Sequence, residues 1–209
     1  MDVTRQTVAI KRSAEIWIDA LVFEALVQQA LRTSPSGLLN EAELNTLTEA
    51  VNLYRGEFLD GFSLRDGEPF DNWVRSQSIQ YHQSVTQALH KLVTHYLAAE
   101  DYQAGIAWAR RLIELDEYNE AARRDMMRLL LHSGQTMAAI QEYEALRRLM
   151  HEGNVAPAED TTALYNQLLQ PGRHTPTGLS TDKLATAFHQ RRLSSSTIRL
   201  DEQCRRRWT

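Results

Sequence analysis

Three histidines, His82, His90 and His95, fall within one stretch that reads as helix, and imidazole is the side chain best suited to ligating zinc or moving protons near neutral pH. Their separations of eight and five residues do not give the adjacent-turn pairing of a helical zinc site, so they read as surface histidines. Carboxylates recur as neighbours, Asp116 with Glu117 and Glu142 with Glu144, which are the residue types of general acids and bases. In a helical chain such pairs belong to solvated faces and helix ends. The single cysteine, Cys204, forms neither an intrachain disulfide nor a thiolate metal cluster, in keeping with a reducing compartment. The sequence holds no glycine-rich phosphate loop, no G-x-S-x-G elbow and no HExxH stretch. No catalytic residue, metal site or cofactor is therefore expected, and the chain reads as a non-enzyme. The tryptophans Trp17, Trp73 and Trp108 lie at or beside apolar helical stripes, where core anchors are expected rather than stacking platforms for bases.

The elements that would carry these side chains are helical almost throughout. From Asp19, a candidate N-cap, to Arg32, the apolar residues Leu21, Val22, Ala25, Leu26 and Ala30 have the spacing of one buried stripe. The run Ser34-Pro35-Ser36-Gly37 ends that helix. Asn40 with Glu43 predicts a capping box at the start of a second helix through Leu44, Leu47, Val51 and Tyr54. Gly56 to Phe62 reads as a packed, aromatic loop. Pro69 suits the first turn of a long helix from about Phe70 to Ala99, with Trp73, Ile79, Val85, Leu89, Leu92 and Tyr96 toward the core.

Beyond Leu92 the sequence repeats at an offset of 34 residues: Leu92, Tyr96, Tyr102, Gly105, Ala109 and Leu112 recur as Met126, Leu130, Thr136, Ala139, Tyr143 and Leu146. This is the tetratricopeptide period, in which each unit is a helix-turn-helix that buries its apolar face only by stacking on a neighbour. Helices are expected over Tyr102–Leu115, Glu120–His132 and Thr136–Glu152, with a short capping helix at about Asp160–Leu169. Asp116 and Asn119 mark the turn between units, Gly134-Gln135 the turn within the second, and Gly153-Asn154 its end. The fold class is thus all-α, a right-handed superhelical stack of helical hairpins with about seven helices.

The net charge of −4 hides an asymmetry. Up to Gln170 there are 15 Lys and Arg against 24 Asp and Glu, a balance of −9; from Pro171 onward there are 8 against 3, a balance of +5. An acidic body repels a phosphate backbone, which argues against nucleic-acid binding by the body itself. Residues 171–209, rich in Ser, Thr and Arg and ending in Arg205-Arg206-Arg207-Trp208, read as a basic, mostly disordered tail. Aliphatic runs such as Leu129 to Leu131 are far shorter than the roughly 18 residues of a spanning helix, and the N-terminus lacks a secretory pattern. No membrane association and a cytoplasmic location are expected.

Four strings occur in order: Ile16-Trp17-Ile18-Asp19 with Phe23-Glu24-Ala25-Leu26; YRGEFLDGF from Tyr54; PFDNWV from Pro69; and NEAARRDMMRLLLHSGQTMAAIQEYEALRR from Asn119. Together, over about Trp17 to Leu169, they resemble the bacterial transcriptional activator domain, the helical module of SARP-type (antibiotic regulatory protein) transcription regulators. The resemblance implies a module at residues 17–170 that follows a winged-helix DNA-binding domain and acts by self-association, control of the DNA-binding unit or contact with the transcription machinery. Residues 1–16, with Thr4 to Ile10, are similar to the linker or end of such a preceding domain. The residues that would read DNA have no counterparts in this sequence, so contact with DNA is expected only through an absent or separate winged-helix domain. Expected partners are proteins: a second copy as a homodimer, a sister regulator or RNA polymerase.

In tetratricopeptide units the first helices line the concave face. Carried over to this sequence, that pattern places Gln87, His90, Lys91 and Thr94 there from one unit and Arg124, Asp125, Arg128 and His132 from the next. Lys91, Arg124 and Arg128 would form a basic stripe able to hold an acidic segment or a carboxylate terminus. A general peptide-binding adaptor of tetratricopeptide type, unconnected with transcription, is the alternative. Contacts within stacked hairpins are local, so a fragment spanning residues 7–170 should unfold in one cooperative helical transition by circular dichroism. A broad, noncooperative melt would show that the fragment needs another domain to fold.

Overall fold

The computed structural model describes residues 2–3, 8–9, 16–33, 38–65 and 67–170. The expected tail, with Cys204 and Arg205 to Arg207, falls outside them. Among the described residues, β1 (Asp2–Val3) and β2 (Val8–Ala9) pair antiparallel, with Asp2 opposite Ala9 and Val3 opposite Val8. All other regular structure there is helical: α1 (Asp19–Thr33), α2 (Glu41–Leu53), α3 (Glu68–Ala98), α4 (Tyr102–Leu115), α5 (Glu120–His132), α6 (Thr136–Glu152) and α7 (Glu159–Leu168). The fold is an all-α stack in which α1 pairs with α2, α3 with α4 and α5 with α6, and α7 packs on α5 and α6.

The helix ends follow local chemistry. Asn40 Oδ1 accepts the Glu43 amide at 2.9 Å while the Glu43 carboxylate accepts the Asn40 amide at 2.9 Å, the reciprocal capping box that starts α2. Asp101 and Asn119 cap α4 and α5 from one side, their side chains accepting the Ala104 and Ala122 amides. Pro69 lies in the first turn of α3, where its missing amide leaves no intrahelical bond unmade. Gly134 takes a φ of +80° between α5 and α6, a backbone conformation that a Cβ would oppose. At the end of α6 the left-handed residue is Asn154, at φ +56°, rather than Gly153.

Two apolar clusters make the core. The first joins Phe23, Val27 and Ala30 of α1 to Leu47 and Val51 of α2 and to Tyr81, Val85, Leu89 and Leu92 of α3. The second joins Val93 of α3 to Ile106 and Ala109 of α4, Met127 and Leu129 of α5, and Ala139 and Tyr143 of α6. Trp108 and Ile113 pack against both. Each fully buried large side chain contributes about 1.5–3 kcal/mol relative to exposure.

Several expected core residues lie elsewhere. Of the stripe expected on α1, Ala30 is buried and Leu26 packs against the core, but the other buried positions are Phe23 and Val27, which leaves Leu21 at 58% exposure and Ala25 exposed. Phe23 takes the inward place because its ring meets both Tyr54 and Tyr81, at centroid distances of 5.9 and 6.0 Å. Trp73 and Ile79 are 48% and 54% exposed, because α3 has fully buried side chains only from Tyr81 onward and its first turns meet little but the preceding loop. There Trp73 rests edge-on against Phe58 and tilted against Phe70. Trp17, in the extended lead-in to α1, is 66% exposed and anchors nothing. Of the three tryptophans, Trp108 alone packs against the core clusters.

A polar clamp fixes the first hairpin to the repeat. The Arg111 guanidinium on α4 donates to the carbonyls of Val51 (2.6 Å) and Tyr54 (2.9 Å) and to Asn52 Oδ1 (3.0 Å), at the end of α2. These carbonyls lack intrahelical partners, and a cation there also complements the helix dipole. On the other side of α4, Gly105 is the point of closest helix approach. A Cβ at this position would lie 2.5 Å from Leu129 Cδ2 and 3.3 Å from Tyr96 Cβ. Leu129 is fully buried, so its side chain would have to shift within the packed second cluster. Gly105→Val should therefore lower stability by about 2 kcal/mol through overpacking, read as an earlier urea midpoint with unchanged slope; an unshifted midpoint would mean that α4 and α5 are not in contact at this seam.

Candidate functional site

Helix α5 lies against α3 on one side and α7 on the other, whereas α4 and α6 do not touch each other. The first helices of successive hairpins thus form one continuous layer, as a tetratricopeptide-like concave face requires. On α3, Gln87 and Thr94 are exposed and His90 and Lys91 half-buried. On α5, Arg124, Asp125 and Arg128 are half-buried and His132 is exposed.

The electrostatics are more restrained than a bare cationic stripe. Arg128 Nη1 meets Asp125 Oδ1 at 2.9 Å, an i,i+3 pair in which Asp125 offsets the guanidinium charge within one helix. Arg124 Nη1 donates to Thr161 Oγ1 of α7 at 3.2 Å, so its direction is set by the capping helix. His132 leans toward α4, where its ring stacks on Tyr102 at 5.2 Å and 18°. Each α5 side chain expected on the face, other than Asp125 itself, is thus held by a neighbour. Spacing alone could not reveal Thr161 as the partner of Arg124, because the two are 37 residues apart.

The histidines expected on the surface are all half-buried. His95 holds two segments together: its Nδ1 accepts the Leu39 backbone amide at 3.1 Å, docking the segment before α2 onto α3, and its ring meets Tyr96 edge-on at 5.2 Å. Leu39 is buried, so its amide needs a partner that water cannot supply. Among the described residues no group of three His, Cys, Asp or Glu is placed to hold a metal ion, and no helix is long and apolar enough to cross a membrane.

The reverse side carries a feature that sequence reasoning missed, an open groove of about 870 Å³ between α4 and α6 with α5 beneath it. Its floor includes Ile106, Met126 and Leu130, and Glu114, Glu117 and Glu142 stand along it. Arg123 crosses it, forming an ion pair with Glu142 Oε1 and donating through Nε to the Glu117 carbonyl at 2.9 Å.

At the C-terminal end, α7 closes the layer. Tyr165 stacks on Tyr143 at 4.0 Å and 12°, and its hydroxyl donates to Glu144 at 3.0 Å. That hydrogen bond, with burial and the Glu144 charge behind it, raises the Tyr165 pKa. Burial, assisted by nearby carboxylates, likewise raises Tyr54 and Tyr81 in the first cluster.

Stacked helical pairs of this kind define a helical-repeat, tetratricopeptide-like fold. Across residues 18–169 the chain matches the family model of the bacterial transcriptional activator domain, and it belongs to that family. The family is one of regulatory, transcription-activating domains, as the four ordered strings from Ile16 implied. Comparison with curated proteins and with solved structures gives no match.

The raised tyrosines give the stack an alkaline limit. Their contribution is complete below the ordinary value of 10.0 and is lost as pH rises through the higher folded-state values, because ionisation is then easier in the unfolded chain. Thermal stability should hold level on approaching pH 10 from neutral and fall beyond it, with a smaller fall in Tyr81→Phe and Tyr165→Phe; a fall of equal size in both variants would exclude these hydroxyls as its source.

Proposed function

We propose that this chain is the regulatory protein-interaction module of a SARP-like transcription regulator, acting without catalysis through self-association, contact with the transcription machinery, or both. Its partners are a second copy, a sister regulator or RNA polymerase, and DNA is reached only through a winged-helix unit. Such a role places it in the cytoplasm. The observation that supports the reading is the packing of α3 against α5 in a member of this family; on these helices Gln87, His90, Lys91, Thr94, Arg124, Arg128 and His132 are the residues we assign to the partner face.

The chemistry of that face suits an acidic segment. Guanidinium groups donate paired, directional hydrogen bonds to carboxylates, and the ion pair with Asp125 holds Arg128 in place on α5. The surrounding acidic body repels a competing anion that lacks complementary shape.

The double substitution Arg124→Glu with Arg128→Glu should leave the helical circular dichroism intact and abolish partner capture in a pull-down against RNA polymerase and a tagged second copy. Undiminished capture of both would remove the concave face from the mechanism.

A further inference from the structure

Helix α7 is attached differently from the other helices. Its ten residues are too few for an independently stable helix, and only Thr161 and Leu168 are buried. Its N-cap, Ala158, makes no side-chain cap; the Ala158 amide is taken instead by Glu120 Oε1 of α5 at 2.7 Å. Its further attachments are largely polar or aromatic, among them Arg124 to Thr161, Tyr143 Oη within 3.4 Å of Thr162 Oγ1, Tyr165 to Glu144, and the Tyr143–Tyr165 stack. Helices α3 to α6, in contrast, interlock through the second apolar cluster, to which α7 adds Leu168 as its one buried apolar side chain.

Segments that bury little apolar surface open at lower free energy than the global fold. The turn before α7 contains a left-handed residue, Asn154, and Pro157, so α7 is not a continuation of α6 and can leave without unwinding it. Closure has a consequence for the inner face, since the contact that helps hold α7 takes one N–H of the Arg124 guanidinium and directs the side chain toward Thr161.

We propose that α7 is a reversible latch: it opens from the stack as a unit and, while closed, withholds Arg124 from a partner on the α3 and α5 face. The withholding rests on the function proposed above for that face; the opening does not.

Hydrogen exchange of the full chain, followed by mass spectrometry, tests the opening. The α7 amides should exchange together, roughly ten-fold or more faster than those of residues 89–93 in α3 and 126–130 in α5. Tyr165→Phe, which removes the bond to Glu144, should accelerate α7 by roughly a further ten-fold and leave α3 to α5 unchanged. Exchange of α7 at the rate of α5, or equal acceleration of every helix by the substitution, overturns the latch. Fluorescence anisotropy with a labelled hexaglutamate peptide tests the withholding: Tyr165→Phe should bind several-fold more tightly than the wild-type chain, and equal, measurable affinities overturn it. Absence of binding by both proteins would instead sink the cationic-face reading, leaving the exchange data to decide the latch.

Discussion

The apolar side chains of α3 from Tyr81 to Val93 are shielded from water on two sides, by α1 and α2 on one and by α4 and α5 on the other. A helical hairpin cannot bury its apolar face alone, so the first hairpin and the repeat are stable only against this common rod. Everything else in the body is an elaboration of that requirement. The Arg111 clamp ties the far end of α2 to α4, the missing side chain at Gly105 lets α4 approach α5, and His95 docks the segment before α2 onto the rod. The continuous inner layer of α3, α5 and α7 is the surface left once these contacts are made.

Much of this was legible in the sequence because it depends on local chemistry. The Asn40 and Glu43 box, the turn marked by Asp116 and Asn119 and the turn at Gly134 are set by residues within a few positions of each other, and the helix boundaries followed to within a residue or two. The 34-residue offset also translated directly, since Leu92 and Met126, or Gly105 and Ala139, occupy equivalent buried positions in the two units. Rotation of α1 was not legible. Leu21 and Phe23 are both apolar, and only the rings of Tyr54 and Tyr81 decide which one turns inward. Trp73 and Ile79 followed the helical pattern, but the periodicity of one helix does not say where its partners stop.

The candidate face shows the same division. Spacing put the cations on the right helices, α3 and α5. What holds each side chain comes from other positions: Asp125 is a local partner that could have been read from its i,i+3 spacing to Arg128, whereas Thr161 and Tyr102 reach Arg124 and His132 through the stack. The groove between α4 and α6 was invisible for the opposite reason, since a gap between helices that do not touch leaves no periodic mark.

Leu92 and Val93 are consecutive residues of α3, about 100° apart around the helix axis, yet Leu92 belongs to the first apolar cluster and Val93 to the second. Displacing α3 by a single residue would move one of them into the other's cluster and turn the other out of both, toward the place of Lys91 or Thr94. The rod is thereby keyed like a tumbler in a lock: its rotation and its advance along the axis are fixed by two cores at once, and neither core can repack around α3 without the other registering the change.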